Sequence, residues 1–64
     1  MWTKHEQYHI YSNSYGVVNS MVYYDFSKGV WKALDPTSNE VVDVYITLEA
    51  AQRNIENIFE REDT

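Results

Sequence analysis

Apolar residues recur at steps of three and four along the last third of the chain: Leu48, Ala51, Ile55, Ile58 and Phe59. That spacing puts them on one stripe and predicts an amphipathic helix over residues 48–61, docked by the stripe. Thr47 supplies a side-chain oxygen for the first free amides, and Glu49 suits the positive end of the helix dipole. Upstream the period shortens to two. Residues 17–26 and 30–34 have the β-branched and aromatic content of strands, and Ser27-Lys28-Gly29 fits a type I turn closed by a left-handed Gly. Such a turn sets Asp25 opposite Val30, Tyr24 opposite Trp31, Tyr23 opposite Lys32 and Val22 opposite Ala33. One face then carries Val18, Val22, Tyr24, Trp31 and Ala33, and the other carries Met21, Tyr23, Lys32 and Leu34.

Asp35-Pro36-Thr37-Ser38-Asn39 is a turn, because Pro presets one dihedral while Asp and Asn bond back to nearby amides. In the strand that follows, residues 41–46, Val42, Val44 and Ile46 share one face and are expected to look inward. Val41, Asp43 and Tyr45 are then expected to look outward. Near the N-terminus, Tyr8 and Ile10 alternate with polar neighbours as in a strand over residues 5–11, whereas Thr3-Lys4-His5-Glu6 spells a helical capping box. The pattern as a whole predicts an α+β fold in a single domain, residues 1–64. A small antiparallel sheet of three or four strands carries one C-terminal helix on one face.

Sixty-four residues bury only about 60% of the unfolded chain's surface, so the core must be thin and a large catalytic cleft has no room. Cysteine is absent, which removes disulfides and thiolate sites and leaves self-association as the natural staple for so small a scaffold. The ten aromatic side chains, 16% of the sequence, can supply much of the buried area that length denies. No apolar run reaches the ~18 residues of a membrane span, and the first residues lack the apolar stretch of a secretory signal, so a soluble, cytoplasmic chain is expected.

Charge changes the picture more. The net charge is -5, yet residues 1–39 balance, with Glu6, Asp25 and Asp35 against Lys4, Lys28 and Lys32. The excess lies in residues 40–64, where Glu40, Asp43, Glu49, Glu56, Glu60, Glu62 and Asp63 face only Arg53 and Arg61. That half is unsuited to nucleic acid, whose phosphates call for clustered Lys and Arg.

His5-Glu6-Gln7-Tyr8-His9 has the letters of H-E-x-x-H and resembles zinc metalloproteases over those five residues, which would imply His5 and His9 as ligands and Glu6 as base. On a strand the two imidazoles would stand ~13 Å apart and could not share an ion. Asp25, Asp35, Glu40 and Asp43 fall at turns or exposed strand positions, where solvation keeps a carboxylate ordinary. Gly16 and Gly29 are too few for a phosphate-cradling loop. No catalytic residue, metal or cofactor is therefore expected.

Two surfaces remain. Met21, Tyr23 and Tyr45, expected on the outer sheet face, are residue types that protein interfaces enrich. Glu49, Glu56 and Glu60 lie close together on the helical wheel and could imitate a row of phosphates against a basic surface. The chain resembles, in size, charge and aromatic content, the small acidic inhibitors that phages direct against host or defence nucleases. The expectation is a non-enzymatic protein-binding module with a basic partner, no direct nucleic-acid contact and no membrane. A homodimer or larger homo-oligomer through the aromatic sheet face is the alternative, and a zinc hydrolase a distant third.

Overall fold

A computed structural model describes residues 1–60; Arg61, and the Glu62 and Asp63 that extend the acidic run, lie outside the described residues. The order of elements is β1 (Trp2–His5), β2 (Tyr8–Ser12), β3 (Val18–Asp25), β4 (Val30–Asp35), β5 (Glu40–Tyr45) and α1 (Leu48–Glu60). Among the described residues the strands form one five-stranded antiparallel sheet in sequential order β1-β2-β3-β4-β5, with α1 laid across one face. The α+β class and the single C-terminal helix are as expected. The strand count is higher than the expected three or four.

The extra strand comes from a hairpin at the N-terminus. His5 pairs with Tyr8, so Glu6 and Gln7 form a two-residue turn in which Glu6 takes a φ of 57°. A single strand over residues 5–11 and the capping-box helix are both corrected. Holding a non-glycine residue at positive φ costs about 1–2 kcal/mol. The hairpin offsets this by pairing Trp2 with Tyr11, whose rings meet at a tilt with centroids 4.9 Å apart, Tyr11 within the core and Trp2 packed against it.

The β3–β4 and β4–β5 connections share one design. Each opens on an Asp whose Oδ1 accepts a backbone N–H two residues on, Ser27 to Asp25 at 3.0 Å and Thr37 to Asp35 at 2.9 Å. Each closes on a residue in the left-handed region, Gly29 at φ 67° and Asn39 at φ 61°. The β3–β4 register follows as predicted, Asp25 with Val30 through Val22 with Ala33.

The expected facing of β5 fails except at Val41, which pairs with Leu34 on the side away from the helix as expected. Tyr45 pairs with Trp31 and Asp43 with Ala33, which sets both on the helix side, while Val44 pairs with Lys32 on the opposite face. A bulge at Val42 separates these pairs from Leu34–Val41. Val42, Val44 and Ile46 are 63%, 49% and 79% exposed. The physical reason is that β5 is an edge strand under the start of the helix: one Tyr ring covers more apolar area there than a Val, and its hydroxyl reaches polar partners in Asn54 and Asp43. The Val44 amide is bonded by the Asp43 Oδ1 at 2.9 Å, which partly closes an edge that would otherwise pair with another strand. A second bulge lies between the pairs Tyr11–Ser20 and Ser12–Val18; Ser20, two residues before Val22, is buried under the helix, and Val18, on the same side, is left 37% exposed at its margin.

Tyr11, Val22, Ala33, Ala51 and Ile55 form the buried core, and Trp2, Trp31, Tyr45, Leu48 and Phe59 pack against it. Thr47 caps α1 as predicted, its Oγ1 accepting the Ala50 N–H at 3.1 Å. Ile58, expected on the docked stripe, is instead half exposed at the helix margin.

Candidate functional site

Because α1 covers one side of the sheet, the alternate residues of each strand form a second face that no other element crosses among the described residues. Strand register defines its composition. Thr3, Ile10, Met21, Leu34 and Val41 follow one another across all five strands. Beside that row run Tyr23, Lys32 and Val44, with the Tyr8 ring 5.8 Å from that of Tyr23. The result is an apolar and aromatic platform spanning the sheet.

One ion pair stands on it. Lys32 Nζ lies 2.7 Å from Asp25 Oδ2. The hydrogen bond from Lys32, followed by that from Ser27, holds the Asp25 carboxyl well below the usual carboxylate range, and the same bond raises the Lys32 ammonium. The two charges neutralise each other. Rings on this face therefore lack the basic groove that base-stacking sheets combine with them.

The predicted contact residues separate on the structure. Met21 and Tyr23 are both on the open face, as expected. Tyr45 is not: it lies on the helix side, donates from its hydroxyl to Asp43 Oδ2 at 3.0 Å and accepts from Asn54 Nδ2 at 2.6 Å. Burial, chiefly, raises its pKa. The sequence did not single out Tyr8, Ile10 and Leu34 as members of the site. Their alternation was visible, but without the Glu6-Gln7 turn nothing placed Tyr8 and Ile10 beside Met21 and Tyr23.

Nor are the three helix carboxylates an equivalent row. Glu49 is exposed and pairs with Arg53 at 3.1 Å one turn on. Glu56 Oε2 accepts the Trp2 indole N–H at 2.7 Å, and Glu60 Oε1 accepts the Tyr11 hydroxyl at 3.2 Å. Two of the acids thus fasten α1 to the N-terminal hairpin. Sequence spacing cannot reveal this, since the partners are 54 and 49 residues away.

The H-E-x-x-H letters do not build a metal site. His5 pairs with Tyr8 and His9 with Lys4 and Val22, so the imidazoles belong to opposite faces of the sheet, with Glu6 in the turn between them. His9 sits edge-on to Trp31, ring centroids 5.8 Å apart, and burial, then the nearby Lys4, lowers its pKa. Among the described residues no cluster of three His, Cys, Asp or Glu could hold a metal ion. No helix there is long and apolar enough to cross a membrane. Compared with protein-family models, with curated proteins and with solved structures, the chain matches none.

Proposed function

We propose that this chain is a non-enzymatic protein-binding module whose contact surface is the helix-free face of the sheet. One observation carries the reading: Ile10, Met21, Leu34 and Val41 form a continuous apolar row flanked by Tyr8, Tyr23 and Val44, with no cover among the described residues. Contiguous apolar surface rimmed by polar groups marks an interaction site more often than scattered exposure does. The partner is basic, because the chain's net charge of -5 attracts such a surface and repels a like one. The platform supplies contact area, and the exposed acids, Glu49 first among them, steer the encounter. In its finer form the proposal is a small acidic inhibitor, of the phage counter-defence kind, that occupies a basic nucleic-acid-binding surface of its partner.

The test is capture from the lysate of the native host, eluted by a salt step. Met21→Asp combined with Tyr23→Ser should abolish retention of the partner that the unaltered chain holds, while the helix stays intact by circular dichroism. Retention by that folded double variant would refute the assignment of this face. Glu49→Gln should leave the partner bound but lower the salt concentration that releases it.

A thin core favours a second reading. Among the described residues only Tyr11, Val22, Ala33, Ala51 and Ile55 are buried apolar side chains, and so small a core is commonly supplemented by a subunit contact. A homodimer would bury the same open face. Sedimentation at micromolar concentration separates the two, since the first reading requires a free monomer of 7.6 kDa and the second a species of twice that mass.

A further inference from the structure

The other side of the sheet carries a separate feature. A groove of about 550 Å³ opens between the second half of α1 and the corner where β4 and β5 run into their turn. Ile55, Ile58 and Phe59 line it from the helix, and Val18 and Val42 from the strands. The small side chains of Ser20 and Ala33, both buried, leave it depth. The two bulges bear on it directly, since Val18 adjoins one and Val42 forms the other. Val18, Val42 and Ile58 are 37%, 63% and 49% exposed, so apolar groups left open to water gather along a single trough. Its volume lies within the ~300–1,000 Å³ of ligand-binding clefts.

Charge narrows the occupant. The ionisable side chains lining the groove, apart from Tyr45, are Asp35 and Asp43, with no Lys, Arg or His among them. Both are held in place, Asp35 by the Thr37 amide and Asp43 by the Val44 amide and the Tyr45 hydroxyl. A neutral apolar ligand would strip water from these carboxylates and return nothing, whereas a ligand with cations beside its apolar group replaces that water with ion pairs. The groove is half open to solvent, so a short chain segment can lie in it. The Asp43 bond to the Val44 amide obstructs strand addition at the β5 edge, so side chains rather than main-chain pairing must hold the ligand.

We infer that this groove is a second binding site, distinct from the open sheet face, which takes an extended basic peptide segment. A branched aliphatic side chain enters between Ile58 and Val42, and flanking Lys or Arg residues meet Asp35 and Asp43.

The experiment is selection of a displayed random nonapeptide library on the whole 64-residue chain, followed by titration of the enriched peptide, made synthetically, into isotope-labelled protein. Selected sequences should combine Val, Ile or Leu with at least two Lys or Arg, and the amides of Ala33, Val42, Asp43 and Ile58 should shift. Asp35→Asn with Asp43→Asn, which keeps size and turn bonding, should weaken binding about fivefold. Ile58→Arg should abolish it, and Met21→Asp with Tyr23→Ser should leave it unchanged. The inference is overturned if nothing is enriched, if the selected peptides lack positive charge, or if a simple alkylammonium of equal charge binds as tightly. Shifts confined to Ile10, Met21 and Tyr23 would also overturn it, while leaving the open-face reading in place.

Discussion

Glu56 and Glu49 are the same residue on the same helix, and the structure gives them opposite weights. Replacing Glu56 by Ala removes the acceptor for the Trp2 indole N–H at 2.7 Å in a partly buried setting. A hydrogen bond to a charged group contributes about 1.5–3 kcal/mol. Against that loss stand a few tenths of a kcal/mol from the better helix propensity of Ala and a few tenths from relief of repulsion with Glu60 one turn away. The expected net destabilisation is about 1–2 kcal/mol, which in a domain of this size lowers the melting temperature by roughly 10 °C. Glu49→Ala breaks only the exposed pair with Arg53, whose side chains are 80% and 74% exposed. It should cost about 0.5 kcal/mol or less. Urea unfolding followed by far-ultraviolet circular dichroism measures both, and a cycle with Trp2→Phe isolates the coupling, expected at about 1 kcal/mol or more. Equal effects of the two Ala variants, or a Trp2–Glu56 coupling near zero, would refute the reasoning.

Other consequences are open to the same methods. Val22 is completely buried, and Val22→Ala should destabilise by about 2–3 kcal/mol through two lost methyl-sized groups and the cavity they leave, seen as a lower urea midpoint. Glu6→Gly should stabilise by about 0.5 kcal/mol net, because Gly relieves the positive φ of the first hairpin turn while giving the unfolded chain more freedom to lose. The lowered His9 pKa means that the unfolded chain binds the proton more readily. The contribution is full above the ordinary value of 6.5 and is lost as pH falls below it, so His9→Gln should flatten the decline in stability between pH 7 and pH 5.

Much of the middle and end of the chain was legible because its signals are local. Gly29 after Ser27-Lys28 fixed the β3–β4 register, and with it the placing of Met21 and Tyr23 on the face opposite Val22. Thr47 and the spacing of Leu48, Ala51, Ile55 and Phe59 marked the helix and its docked stripe. What escaped depends on distant partners. The Glu6-Gln7 turn contains no Gly, Asn or Pro, and it forms because Trp2 and Tyr11 gain cover under a helix some fifty residues later. Periodicity in β5 fits either orientation, since Val42, Val44 and Ile46 alternate as well as Asp43 and Tyr45 do. The choice is made by the ring of Tyr45 over Trp31's strand and by its hydroxyl meeting Asn54. The acidic stripe looked like one surface in sequence, and tertiary contact divides it into two fasteners, Glu56 and Glu60, and one exposed acid, Glu49, paired with Arg53 on its own helix.

The central claim is that the helix covers the core on one face of this sheet, while among the described residues no element crosses the other face, the one proposed to meet a partner. Methyl relaxation by a soluble gadolinium chelate, measured on the monomer, tests it most directly. The account predicts strong relaxation at Met21, Val41 and Val44 and protection at Val22, Ala33, Ala51 and Ile55. Protection of Met21 and Val44 equal to that of Val22 would contradict it.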